Sequence, residues 1–465
     1  MAALSCVLLL SCAVKPAPSL QEMTKALPPT TAIPGQWKAP PTGEGSAVGD
    51  GWLKSFGDPR LEALADEAVR NSPALKAAAT QIDMAAGYAT QASAALYPIS
   101  SIQGGAGGKG HFKKSMISGK EYVSEMAFYV NISWELDFWG KIRSQAAAAR
   151  ENLAATEADV AWGRQSLVAL VAKTYYLAAE VQILVNIQQR GLELTRKELS
   201  ILEAKRSVGQ VGDQVVAEAR QNLTTAQAAL LQTQQAQQDV MRALEVLLGR
   251  YPAAEIDASG PLIPLPAPMP AGIPSEVLER RPDIIAAEQQ VAAAFHMVQS
   301  AKLAKLPSFG LGFAIGNQAS EITKFIGIPM GFWSTGLSLV QPLFTGGALQ
   351  AEVQIRNAEQ EAALQLFVQK ALTAFNEVET GLAYERNLSE QRQFLAAALG
   401  ESRKAFDLAK IKYDVGETDY LPVVQQEGNV LVAEANLAGV DYSLLNNRIS
   451  LNLALGGSYE TSVRE

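Results

Sequence analysis

Gly104-Gly105-Ala106-Gly107-Gly108-Lys109-Gly110 is the stretch of this chain closest to a chemical motif. Glycine-rich backbone ending on a lysine is how many proteins cradle nucleotide phosphates. Such a loop needs Ser or Thr after the lysine to hold the metal ion, and a helix to follow. Here the next residue is Gly110, and no helix signal comes after it. The chain contains 2 His and 2 Cys. So few argue against a zinc cluster or a Cys–His nucleophile, and no Ser–His–Asp set stands out in the sequence. No catalytic residue, no metal site and no cofactor is expected, so an enzyme is not the expected reading. The formal net charge of −8 also argues against nucleic acid as a partner, because phosphate binding needs a basic surface.

One residue is expected to carry a covalent group. Leu4 to Ser11 is apolar, and Leu9-Leu10-Ser11-Cys12 reads as a lipoprotein processing site, with Cys12 cleaved free and acylated. Ala13 follows it, not the Asp that often retains bacterial lipoproteins at the inner membrane. Cys6 lies inside the apolar run and would leave with the signal (residues 1–11). No Lys or Arg precedes that run, and the competing reading is a frayed apolar N-terminus. No later stretch approaches the ~18 apolar residues of a membrane helix, so a membrane-spanning part would have to be made of strands.

The elements that would position such a part come in two copies. With the sequence offset by 209 residues, Pro73 falls on Pro282, Gln81 on Gln290 and Pro98 on Pro307. Toward the end of each copy the offset is 207, where Gly209 meets Gly416, Leu248 meets Leu455 and Gly249 meets Gly456. The copies span 60–250 and 275–457. An extended segment (12–59) precedes them, a proline-rich connector (251–274) joins them, and a short tail (458–465) follows. Hydrophobic residues make up 48% but aromatics only 7%, which suits long helices with thin seams better than a thick globular core.

Each copy opens on a helix that Asn71-Ser72-Pro73 or Arg280-Arg281-Pro282-Asp283 interrupts or opens. A strand hairpin follows, over 98–138 and 307–343. Phe309, Leu311, Phe313 and Ile315 alternate with Ser308, Gly310, Gly312 and Ala314, and the return strand from Gly331 alternates in the same way. In the first copy, Met126, Phe128, Val130, Ile132, Trp134 and Leu136 alternate with small or polar residues; the partner near Ser100–Ala106 is weaker. About ten residues with one apolar and one small or polar face is the pattern of a barrel strand in a membrane. A soluble hairpin with one buried face is the alternative. The turns, Gly107–Glu121 and Asn317–Pro329, are polar, one of them carrying Lys109, Lys113, Lys114 and Lys120.

A long helical hairpin completes each copy (141–249 and 346–456). Leu364, Val368, Ala371, Phe375, Val378 and Leu382 have heptad spacing, as do Leu167, Val171, Thr174, Ala178, Val181 and Val185, continued by Leu192, Leu199 and Leu202. Proline-free runs of this length imply helices of roughly 100 Å, which must lie along other long helices. Val208-Gly209 and Val415-Gly416 are their expected ends. Four strands cannot close a barrel, and bare strand edges in lipid cost several kcal/mol per group. Several chains must therefore join. Three would give twelve strands, although two or four also close.

Four motifs carry a family resemblance: Leu278-Glu279-Arg280-Arg281-Pro282-Asp283-Ile284, Glu135-Leu136-Asp137-Phe138-Trp139-Gly140-Lys141, Gln341-Pro342-Leu343-Phe344-Thr345-Gly346-Gly347 and Tyr413-Asp414-Val415-Gly416. The chain resembles the TolC-like outer-membrane factors, in particular the lipid-anchored OprM/NodT branch, over nearly everything after about residue 50. The resemblance implies an α+β, mainly helical fold: a homotrimer whose twelve-stranded transmembrane β-barrel continues into a long α-helical barrel. It implies a passive outer-membrane channel in a tripartite efflux system exporting drugs or other small toxic molecules, with a large periplasmic portion. Its partners would be a periplasmic adaptor protein, an inner-membrane transporter of the RND type, and outer-membrane lipid. The adaptor would dock on Val208, Gly209, Val415 and Gly416. The family's gate uses a Leu ring, matched by Leu421, followed by an Asp and an Arg one helical turn apart. Those positions hold Gln425 and Gly428, so an ionic lock of that kind is not expected; Asp414, Asp419 or Glu427 would have to substitute. The alternatives are the outer-membrane duct of a type I protein secretion system, or a soluble periplasmic coiled-coil adaptor.

Overall fold

Proline sets the first boundary of each copy. The computed structural model describes residues 14–28, 33–40, 49–110, 122–257, 262–267, 270–319 and 331–460. Helix α3 (Pro59–Asn71) starts on Asp58, whose carboxylate accepts the Arg60 and Leu61 N–H groups at 3.1 and 3.2 Å. It stops at Ser72 because a residue before proline avoids the helical region; Ser72 has ψ 117°. Helix α4 (Pro73–Ala94) then begins. In the second copy, α7 (Pro274–Arg280) and α8 (Pro282–Leu303) are divided in the same way, with Arg281 at ψ 120°.

The strands follow. β1 (Ile99–Gly110) and β2 (Tyr122–Leu136) belong to the first copy, β3 (Ser308–Ala319) and β4 (Gly331–Val340) to the second. They form one antiparallel sheet in the order β1-β2-β3-β4. The central β2–β3 pairing, with Val130 opposite Ile315, joins the copies. β1 is longer than its weak alternation predicts, because its glycines pair fully with β2 from Ile99↔Ser133 to Gly110↔Tyr122.

Each copy ends in two helices. α5 (Lys141–Ser207) and α9 (Ala348–Asp414) have 67 residues each, and α6 (Asp213–Leu247) and α10 (Leu421–Ala454) return from them. The predicted seams are the inward ones: Val171, Ala178, Val181, Val185, Leu192 and Leu202 are buried on α5, and Val368, Ala371, Val378 and Leu382 on α9. The four long helices end at Gly209, Gly249, Gly416 and Gly456, each left-handed with φ between 71° and 76°.

The chain forms two compact units. One comprises residues 1–29, 80–157 and 286–369 and contains all four strands; the other comprises 30–79, 158–285 and 370–465. The core of the second unit gathers Leu61, Leu64, Val168, Val171, Tyr176, Leu244, Leu248, Leu445 and Ile449. Two expectations need correction here. The segment before Pro59 is not simply extended. It contains α1 (Leu20–Thr24) and α2 (Trp52–Ser55), and Trp52, Leu53 and Phe56 enter the core, with Phe56 stacked on Tyr176 at 5.9 Å. Nor are the helices free of membrane-like stretches, since α5 has a window apolar and long enough to cross a membrane. More than half of it is buried inside the protein (56%), so packing accounts for its hydropathy.

The terminal glycines yield a prediction. A Cβ at Gly456 would meet Arg280 Cβ at 3.0 Å and the Arg281 nitrogen at 3.1 Å, whereas at Gly416 it would meet open space. Gly416→Ala should cost only the left-handed penalty, about 1 kcal/mol. Gly456→Ala should cost a further ~1–3 kcal/mol of overpacking. Thermal melts in detergent decide this, and equal losses at the two sites would contradict it.

Candidate functional site: a two-faced sheet and the helix turns

The register sorts the sheet into two faces. Ile102, Phe128, Val130, Ile132, Trp134, Leu311, Phe313, Ile315, Trp333 and Leu337 share one face. Within the isolated chain, large apolar side chains on this face stay open: Trp333 is 70% exposed, Leu337 69% and Ile102 68%. On the other face lie Ser101, Gln103, Gly105, Asn131, Ser133, Glu135, Gly310, Gly312, Ala314, Gly316, Ser334, Gly336 and Ser338, with Ile99, Tyr129, Phe332 and Val340 as its few large members. An apolar band this wide on a strand surface suits hydrocarbon, and the small, polar face suits water.

Two of the motifs that carry the family resemblance are joints. Asp137 lies between β2 and α5, and its carboxylate accepts the Ile142 and Arg143 N–H groups and the Arg143 Nε–H, each at 2.9 Å. Gly140, at φ 88°, lets the chain turn between them. Trp139 donates its indole N–H to the Pro307 carbonyl at 2.7 Å, tying one copy to the other, and Trp134 donates to Leu96 at 2.9 Å. Lys141 pairs with Glu135 at 2.6 Å.

Arg281 is a second joint, 2% exposed. Its guanidinium meets both Asp283 oxygens (3.0 and 2.9 Å), Glu377 (2.5 Å) and the Ala454 carbonyl (3.1 Å), over the Trp162 ring at 4.7 Å. Burial alone would lower its pKa, but the two carboxylates outweigh that and raise it. The Arg281-Pro282-Asp283 motif therefore works as a buried clamp. Its Trp162 and Glu377 partners are remote in sequence, so sequence reading missed them.

At the helix turns, Val208, Gly209, Val415 and Gly416 are all exposed, Val208 at 69% and Val415 at 71%. Leu421 is the first residue of α10, half-buried against the cluster of Leu202, Val216 and Ala219. Of the acids expected to replace the family's lock, Asp419 has a definite cross-copy partner. It accepts from Lys205 Nζ at 2.5 Å and from the Leu421 N–H at 3.0 Å. The Lys205 bond first, and the Leu421 N–H second, hold its carboxyl below the ordinary value of 3.8. Asp414 and Gln425 are exposed and Glu427 half-buried. Lys205 escaped sequence reading because it sits 214 residues from Asp419. Cys12, Cys6 and the tips of both strand turns, with Lys113, Lys114 and Lys120, lie outside the described residues.

A duplicated chain that presents hydrocarbon with one sheet face and water with the other is an outer-membrane channel subunit. It belongs to the outer membrane efflux protein family, which it matches over residues 64–250 and 273–457. It is 32% identical to the pyoverdine export outer membrane protein OpmQ of Pseudomonas putida, over 95% of this chain and 96% of that one. It is 27% identical to the cation efflux system protein CusC of Escherichia coli strain K12, over 88% of each. Its fold matches the open state of the Neisseria gonorrhoeae MtrE outer membrane channel with a TM-score of 0.82 at 25% identity, covering 94% of this chain and 100% of the other. The fold is TolC-like, and the chain is an outer-membrane efflux channel.

The Lys205–Asp419 pair can be weighed. Its side chains are 22% and 53% exposed, so a double-mutant cycle with Lys205→Met and Asp419→Asn should give a coupling of only about 0.2–1 kcal/mol at neutral pH. Because the folded carboxyl titrates below 3.8, this stabilisation is full above that value and disappears as pH falls through the lower folded value. Melts at pH 7 and below pH ~3 test the sign; a coupling unchanged at low pH contradicts it.

Proposed function

We propose that three copies of this chain close a twelve-stranded barrel and a helical conduit that passes small toxic molecules, drugs among them, from the periplasm to the exterior. One observation carries the reading. The four-stranded sheet has an exposed apolar face yet ends in two edges, β1 and β4, without further strands among the described residues. In lipid those edges must be paired, and copies of the same chain are the economical partners. Conduction is passive. Energy comes from an inner-membrane transporter of the RND type, reached through a periplasmic adaptor that docks on Val208-Gly209 and Val415-Gly416. Leu421 narrows the resting pore, and the Lys205–Asp419 pair stands in for the missing Asp–Arg lock. Cys12 carries the lipid anchor. OpmQ and CusC are named for pyoverdine and for cations, which supports small cargo over secreted proteins.

Reconstitution into planar bilayers should give discrete conductance steps from trimers, and Asp419→Asn should lengthen the open times. A monomer that never raises bilayer conductance would overturn the channel. Deleting the gene in its host should sensitise it to a broad panel of small toxicants; loss of a secreted protein with no such sensitivity points instead to protein secretion. Metabolic labelling with a fatty acid should mark the protein and spare Cys12→Ser, and labelling that persists in the variant rules out that anchor.

A further inference from the structure

The water-suited face of the sheet is built in rows, one residue from each strand. Ser101, Asn131, Ala314 and Ser334 form one row; Ile99, Ser133, Gly312 and Gly336 form the next. These side chains are small or carry no ring. One row differs: Gln103 pairs with Tyr129, Tyr129 with Gly316, and Gly316 with Phe332. Neighbouring strands are spaced about 4.8 Å apart, so the Tyr129 and Phe332 backbones stand roughly 10 Å apart with the glycine between them. A Cβ on Gly316 would come within 2.3 Å of both the Phe128 carbonyl oxygen and Tyr129 Cβ, so the gap is enforced. The two rings lean across it and meet edge to face, centroids 6.0 Å apart at 61°. The Tyr129 hydroxyl donates to Gln103 Oε1 at 2.6 Å, which fixes the phenol from the far side.

Covering a strand glycine with aromatic side chains is a structural device in its own right. Two things take this row further. Its rings lie on the face whose other described rows offer no aromatic surface, and the Gln103 amide keeps its N–H groups to donate while its oxygen is engaged. In a pore whose other described rows hold Gly, Ala, Ser, Asn, Glu135 and the aliphatic Ile99 and Val340 but no ring, a permeant with a flat π-system meets one place where it can stack and accept a hydrogen bond.

We propose that Tyr129 and Phe332, with Gln103 fixing the phenol, form a station on the pore wall that binds planar aromatic permeants. The inference rests on the channel reading above, which makes this face the lumen. Three chains would supply three such stations on one level of the barrel. Binding has to stay weak, because a permeant that enters must also leave.

The test uses the full chain reconstituted in planar bilayers, with 9-aminoacridine as the planar aromatic probe and tetrabutylammonium as the aliphatic one. In the parent channel, 9-aminoacridine should interrupt the current with resolvable dwell times. Tyr129→Leu/Phe332→Leu keeps an apolar cover over Gly316 but removes both rings. It should shorten those dwell times about tenfold, the weight of one aromatic contact, and leave tetrabutylammonium block unchanged. Tyr129→Phe should retain most of the aromatic block. If the double variant fails to insert, Phe332→Leu alone should shorten the dwell about threefold. Dwell times that stay at the parent value, or that fall equally for both probes, overturn the station while leaving the channel intact. A parent that conducts nothing overturns the channel and the station with it.

Discussion

Unpaired backbone in hydrocarbon is the constraint from which the rest follows. The sheet of this chain has ladders from β1 to β4 and nothing beyond either end among its described residues. Each bare amide or carbonyl on such an edge costs several kcal/mol in lipid, so a four-stranded sheet with an apolar face is not a finished membrane object. The duplication fits that constraint. A hairpin alone has two edges for two strands; joining two hairpins through β2 and β3 halves the number of edges per strand that other copies must cover. The joint is reinforced outside the ladder by Trp139, which reaches from the first copy to the Pro307 carbonyl of the second.

The long helices face a different problem, since their seams are thin and their connectors have little to bury. Buried and half-buried carboxylates supply the anchorage. Glu245 is 3% exposed and accepts the N–H groups of Ala254 and Glu255 at 2.7 Å and Ile256 at 3.0 Å, gathering the start of the connector onto α6. Burial pushes its pKa upward, but those donors outweigh burial and lower it. Glu379 holds the Lys38 and Ala39 N–H groups at 2.8 Å, while Trp37 donates to Ala271 at 3.0 Å. Arg448, paired with Glu385 in the interior, donates to the Pro266 and Ala267 carbonyls at 3.1 and 2.5 Å. A proline-rich strap lacks its own ladder, so its carbonyls must find donors elsewhere. Breaking one member of the Arg448–Glu385 pair leaves a buried charge uncompensated, which is far costlier than losing a surface pair.

What could be read from the sequence follows the range of the interaction. Alternation along β2 to β4 and the heptads of α5 and α9 are local patterns, and the structure buries or exposes those residues as the period dictates. Helix ends were legible because Gly209, Gly249, Gly416 and Gly456 are needed for a left-handed residue. The short helices before Pro59 were not, because Trp52 and Phe56 are ordered by Tyr176 and its neighbours, not by their own propensity. The cover of the apolar window in α5 was not legible for the same reason: periodicity does not say whether protein or lipid will cover a face. Arg281 stood out by its motif, while its role as a clamp depends on Trp162 and Glu377, which nothing local indicates.

The two helix turns show how a duplicated chain uses its freedom to diverge. At the offset of 207, Arg206, Ser207, Gln210 and Gly212 of the first turn stand where the second has Tyr413, Asp414, Glu417 and Asp419. Every one of these four differences makes the second turn more acidic than the first. Lys205 and Lys412 occupy equivalent positions, yet Lys205 reaches across to Asp419 whereas Lys412 pairs with Glu417 of its own turn at 3.4 Å. The reciprocal bond has no acceptor, since the counterpart of Asp419 is Gly212. The link is therefore one-way, from the end of α5 to the start of α10, where Asp419 also caps Leu421. Fusing two hairpins in one polypeptide lets their turns diverge, and it leaves the second turn joined to the first by a contact that salt, or a competing charged surface, can weaken.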